Sequence, residues 1–232
     1  MSPRARRSPG VFLSGILLVA LAAGCGVSSK APTAPPPGAR QVRGTVSRGA
    51  VAAAAVKVKL YDDASGAQVD SVLSGSDGAY GFDGVPAGNW MVKVSGPTVS
   101  DLGYVRWFFA TAAAGQSVVV PPFDIDAHGF DLVSPADGAN VPRPGFSSPL
   151  QFSWSAYGAP YLWAAVHVDD PVGTLAWSSA QAPVTQVSWN GVGNEGPYSG
   201  QALAAGPWTW RVKLRFANNV QGASRERALN LE

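Results

Sequence analysis

The residues capable of nucleophilic, acid–base or metal chemistry are few. In 232 residues there is one cysteine, Cys25, two histidines, His128 and His167, and three glutamates, Glu195, Glu226 and Glu232. A zinc site needs several Cys, His or carboxylate ligands and a disulfide needs paired cysteines, so neither is expected. A nucleophile elbow is missing as well, because Ser74-Gly75-Ser76-Asp77-Gly78 lacks the first glycine and falls on a predicted hairpin. No glutamate pairs with a nearby aspartate as glycoside hydrolysis requires, and no glycine-rich loop opens a helix to cradle phosphate. Asp62, Asp63, Asp124 and Asp126 are the calcium candidates, since calcium gathers many oxygen ligands. None completes a calcium-loop pattern, and loop aspartates commonly cap their own turns, so no cofactor is expected. Among the eight tryptophans, Trp163, Trp177 and Trp189 are the candidates for exposed platforms that stack on sugar rings. The competing expectation is that such large aromatics fill a core.

Cys25 carries the strongest functional signal. Arg4, Arg6 and Arg7 precede an apolar run from Val11 to Ala22, and small residues lead to Gly24-Cys25. That run is too short to span a bilayer, which takes about 20 residues, and it fits the hydrophobic region of an export signal. Leu21-Ala22-Ala23-Gly24-Cys25 resembles the lipobox of bacterial lipoproteins, with Ala22 standing where leucine is commonest. The resemblance implies cleavage between Gly24 and Cys25 and acylation of the Cys25 thiol, by palmitate or similar chains, so that membrane lipid is a partner. The alternative is an ordinary signal peptide with Cys25 an incidental thiol. Buried acyl chains contribute ~0.8 kcal/mol per methylene, enough for two or three chains to hold a protein on a bilayer without a spanning helix. Gly26, where an aspartate would mark inner-membrane retention, implies an exported protein of the bacterial outer membrane. Loss of residues 1–24 removes Arg4, Arg6 and Arg7 from the 17 basic residues, leaving 14 against 15 acidic ones. The formal charge of +2 thus belongs to the export signal, and the overall balance gives no argument for nucleic acid.

The elements that must position these groups are legible from punctuation and period. Charged residues make up only 14% of the chain, while 27 Gly and 19 Pro suit short strands and turns. Residues 25–40, with four prolines after Cys25, read as a spacer. Val56, Val58 and Leu60 alternate with Lys57 and Lys59, and Trp90, Val92 and Val94 with Met91 and Lys93, the period of half-buried strands. Asp77-Gly78 supplies the positive φ of a tight hairpin.

Val42-Arg43-Gly44-Thr45-Val46, Ser76-Asp77-Gly78-Ala79-Tyr80-Gly81-Phe82 and Val85-Pro86-Ala87-Gly88-Asn89-Trp90 together resemble the carboxypeptidase regulatory-like domain. That resemblance implies a transthyretin-like, starch-binding-like β-sandwich over residues 41–130. Phe152-Ser153-Trp154, Leu203-Ala204-Ala205-Gly206 and Trp208-Thr209-Trp210-Arg211-Val212 resemble the fibronectin type III-like or immunoglobulin-like modules of exported bacterial proteins. A second β-sandwich over 131–232 follows, with Trp154 and Trp210 in its core. The expected fold is therefore all-β, two tandem sandwiches after a signal peptide (1–24) and a lipidated, proline-rich linker (25–40). The expected function is that of a non-catalytic, lipid-anchored cell-envelope protein in binding, adhesion or structural spacing, its partner a polysaccharide or an envelope protein. Two alternatives stand beside it: a carbohydrate-binding lipoprotein using exposed tryptophans, and a hydrolase with an unrecognised site.

Overall fold

The computed structural model describes residues 40–97, 101–111, 115–125, 130–145, 147–156 and 160–232. Gly24, Cys25, the spacer through residue 39, and Asp126 lie outside them. Before residue 130 the strands are β1 (Gln41–Arg48), β2 (Val51–Ala52), β3 (Lys57–Asp62), β4 (Gln68–Leu73), β5 (Ala79–Asp83), β6 (Gly88–Ser95), β7 (Leu102–Thr111), β8 (Ser117–Val119) and β9 (Phe123–Asp124). After it come β10 (Leu132–Ser134), β11 (Ala139–Val141), β12 (Leu150–Trp154), β13 (Trp163–Asp169), β14 (Leu175–Ser178), β15 (Gln186–Trp189), β16 (Gly206–Arg215), β17 (Gln221–Ser224) and β18 (Arg227–Leu231). The described residues contain no α-helix, only two single turns of 3-10 helix, and no helix long and apolar enough to cross a membrane. The all-β expectation holds.

Alternation decides which face of each strand is buried. In β6, Trp90, Val92 and Val94 point inward; in β16, Trp208, Trp210, Val212 and Leu214 do, leaving Thr209, Arg211, Lys213 and Arg215 on the other face. These inward residues join one continuous hydrophobic cluster with Val42, Phe82 and Phe123 from one end of the molecule and Phe152, Trp154 and Trp189 from the other. The hairpin at Asp77-Gly78 forms as expected. Gly78 sits at φ +75, a Cβ there would strike the Val46 carbonyl, and Asp77 Oδ1 accepts the Ala79 amide at 2.9 Å.

Three sheets result. A five-stranded sheet has β1 at its centre, flanked by β2 and β5 antiparallel and by β8 and β9 parallel; a three-stranded sheet runs β10-β12-β15. The third has ten strands in the order β11-β18-β16-β17-β7-β6-β3-β4, with β13 on the other edge of β16 and β14 beyond it. Its course crosses position 130: β17 pairs antiparallel with β7, Gln221 opposite Arg106 and Gly222 opposite Val105. The two halves therefore share a sheet, and the described residues from 40 to 232 belong to one compact unit. Asp101 reinforces the seam, its Oδ2 accepting from the Leu132 amide and from Arg227 Nη2, each at 2.8 Å.

Candidate functional site

The outward face of the ten-stranded sheet carries a row of directly opposed residues, one from each of six neighbouring strands. Lys59 faces Lys93, Lys93 faces Arg106, Arg106 faces Gln221, Gln221 faces Arg215, and Arg215 faces Trp163. With strands about 4.8 Å apart the row runs roughly 24 Å across the seam. Where it crosses, a groove of about 240 Å³ opens, lined by Tyr104, Arg106, Trp163, Gln181, Lys213 and Gln221. On the opposite, inward face of β17, Gly222 leaves no room for a side chain, since a Cβ would lie 2.9 Å from the Phe216 ring.

Contacts within the groove hold its cations in place without neutralising them. Arg106 donates from Nε and Nη2 to Gln221 Oε1 at 3.3 and 3.2 Å, which leaves the Gln221 amide nitrogen as a donor. Lys93 Nζ lies 4.4 Å from the centre of the Tyr104 ring, and the Arg106 guanidinium 5.2 Å from it and 4.9 Å from that of Phe108. Among the described residues, Lys59, Lys93, Arg106, Lys213 and Arg215 make no salt bridge. Partial burial, then Arg106 and Lys59, pull the Lys93 ammonium below the usual lysine range. Burial also lowers Lys213, with Arg211 and Arg106 adding to the effect and Asp169 opposing it.

At the edge of the groove, which His167 also lines, the charge is balanced. Arg211 Nη2 lies 3.1 Å from Oδ2 of Asp169, whose side chain is 3% exposed, and Nη1 donates to the exposed Glu226. Burial raises the Asp169 carboxyl, with Arg211 pulling against it. His167 stands opposite Arg211 on β16 and Ser178 on β14. Burial first, then Lys213 and Arg211, push its imidazole down from 6.5 to about 4, so it is neutral at pH 7. The unfolded chain then takes up this proton near pH 6.5 and the folded chain only near 4, so His167 subtracts stability as pH falls through that window. Asp169 titrates with the opposite sign, hence the comparison must be between variants. His167→Gln should flatten the decline in melting temperature between pH 6.5 and 4 relative to the parent; superimposable pH profiles would contradict the assignment.

The three tryptophans singled out from the sequence separate. Trp163 is half-buried at the end of the row and lines the groove. Trp177 and Trp189 are corrected: they are 8% and 1% exposed and belong to the core. Trp177 faces the inward Val168, and both tryptophans pack on Phe152 and on each other, their rings 5.6 Å apart. Trp189 Nε1 donates to the Val192 carbonyl at 3.0 Å, which removes the polar cost of its burial. Trp154 and Trp210 are core residues at 3% and 0% exposure, as expected. Of the calcium candidates, Asp62 caps its own turn, Oδ1 accepting from the Ser65 amide at 2.8 Å and hydroxyl at 2.7 Å. Asp124 Oδ1 accepts the Gly49 amide at 2.9 Å, and Asp63 is exposed. Among the described residues no three His, Cys, Asp or Glu side chains gather as a metal site would require.

Sequence reasoning missed Tyr104, Arg106, Lys93, Lys213 and Gln221. The available signal was that Lys59, Lys93 and Lys213 all occupy outward positions of alternating strands. What puts them in line is the register between strands distant in the chain.

No family profile matches the chain, and no curated protein is similar to it in sequence. Solved structures that match the chain include a DUF3823 family protein from Parabacteroides merdae, 15% identical, covering 85% of this chain and 100% of its own, with a TM-score of 0.32. A Bacteroides uniformis protein provisionally assigned to carbohydrate binding is 9% identical over 83% of this chain and 99% of its own, TM-score 0.31. A streptococcal ancillary pilin is 11% identical over 84% of this chain and 63% of its own, TM-score 0.34. Likeness of this degree carries no argument about activity.

Proposed function

We propose that this chain is a non-catalytic, lipid-anchored binding protein of the bacterial cell envelope, and that the groove across the seam is its saccharide site. The carrying observation is the meeting of Trp163, the Gln181 and Gln221 amides and unpaired cations in one concavity. A sugar ring offers an apolar face to an aromatic and a rim of hydroxyls to amides and charged donors, and such a site needs only a few convergent polar groups. A hydrolytic reading finds less support. Acid–base cleavage needs paired carboxylates, whereas the carboxylate nearest this face, Asp169, is tied to Arg211. Anchoring rests on Leu21-Ala22-Ala23-Gly24-Cys25 and on the spacer that follows it.

Two measurements test the two parts separately. Cys25→Ser should abolish labelled palmitate uptake and move the protein from the membrane to the soluble fraction. Unchanged partitioning would end the anchoring proposal. Trp163→Ala should leave folding intact and abolish retention on insoluble polysaccharides or glycan arrays. Blank panels for the parent protein would end the saccharide proposal.

A further inference from the structure

We propose that the polymer bound here is an acidic polysaccharide, bearing carboxylate, sulfate or phosphate groups, laid across the strands along the row from Lys59 to Arg215. This rests on the saccharide reading and narrows it to a chemical class.

The row places like charges where a sheet ordinarily avoids them. Directly opposed side chains on neighbouring strands are in contact, and equal charges there are destabilising. Lys59, Lys93 and Arg106 are nonetheless opposed in succession, with Arg215 beyond Gln221 and Lys213 beside it. No carboxylate among the described residues pairs with any of them. Partial burial first, and neighbouring cations second, lower Lys93 and Lys213: Arg106 and Lys59 act on the former, Arg211 and Arg106 on the latter. An anion lying between successive cations turns each repulsion into two attractions, stronger in a partly desolvated groove than in open water.

Two other polyanionic partners fit less well. A lipid surface is flat, and the half-buried Arg106, Lys213 and Trp163 line a concavity that a bilayer does not enter. Single-stranded nucleic acid binds by stacking successive bases on exposed aromatic faces. Here the Tyr104 ring is already approached by Lys93 and Arg106, which leaves Trp163 as the groove's free platform. One aromatic, two amides and a line of cations suit a chain of hydroxylated rings carrying repeated negative charge.

The test uses the full chain carrying Cys25→Ser, so that the anchor adds nothing, against alginate, neutral dextran, a DNA fragment and phosphatidylglycerol vesicles. Alginate should be retained and dextran not, with affinity falling steeply between about 50 and 500 mM salt. Lys59→Gln and Lys93→Gln should each weaken alginate binding about tenfold, the size of one charge-assisted contact. Lys59→Gln should not lower the melting temperature, because it removes a like-charge contact, whereas Lys93→Gln also gives up the contact with the Tyr104 ring. Equal, salt-insensitive retention of dextran and alginate would overturn the acidic assignment and leave the saccharide reading standing. Blank results on both polysaccharides would overturn the two together. Tighter binding of DNA or of vesicles than of alginate would overturn the choice of partner, and a loss of stability in Lys59→Gln would overturn the repulsion argument.

Discussion

Trp189→Ala lowers the unfolding free energy by ~3–5 kcal/mol, the range for deleting a large aromatic from a packed core. Trp189 is 1% exposed and shares a cluster with Phe152, Trp177 and Trp210, the Phe152 ring lying 5.0 to 6.1 Å from the three indoles. Removing the indole leaves a cavity that these stiff neighbours cannot close, and it strands the Val192 carbonyl that accepts from Nε1. Trp163→Ala deletes the same side chain from a half-buried position at the rim of the groove, so its stability cost should be no more than about 1 kcal/mol. Chemical denaturation of the two variants side by side decides the matter. Comparable losses would mean that Trp163 is a packing residue, and the saccharide platform would go with it.

The second large effect is electrostatic. Arg211→Ala should cost about 3–5 kcal/mol, because it strips the Asp169 carboxylate, 3% exposed, of its paired guanidinium and leaves only the unbridged Lys213 ammonium to attract it. The loss should shrink below neutral pH, since burial already raises Asp169 and protonation removes the orphaned charge. Glu226 also pairs with Arg211 but is 53% exposed, so Glu226→Gln should cost less than about 1 kcal/mol. The double variant Arg211→Met, Asp169→Leu should recover most of the single-variant loss, as apolar replacement of a buried pair commonly does. Denaturation midpoints of the three proteins at pH 7 and 5 check this. A double variant as unstable as Arg211→Ala would mean that Asp169 is held for some reason other than its pairing.

What could be read from the chain is what short-range physics determines. Period-two alternation in β3 and β6 gave their buried faces, and Asp77-Gly78 marked a turn whose backbone demands glycine. The core positions of Trp154 and Trp210 followed from the resemblance to fibronectin type III-like modules, and both are buried. Trp177 and Trp189 were misjudged because alternation says which residues share a face, not which face is covered. The deciding fact is whether a second layer lies over it, as the three-stranded sheet carrying Phe152 and Trp189 does. β17 escaped notice because Gln221-Gly222-Ala223-Ser224 has neither bulk nor branching; its small residues are required by strands on both sides. The same blindness hid the cationic row. Lys59, Lys93, Arg106 and Arg215 are unremarkable outward residues until pairing sets them in line.

The pairing of β7 with β17 has a kinetic side. The Arg106–Gln221 contact closes a loop of 115 residues, and contacts so distant in sequence are slow to form. Cations donated by strands on both sides of this join mean that the proposed site is complete only once this long-range pairing has formed. The reverse also holds. Strain or heat that parts these two short edges would dismantle the proposed site together with the single core that both halves share, and a polymer bound across the join would act as a stitch whose strength grows with its occupancy.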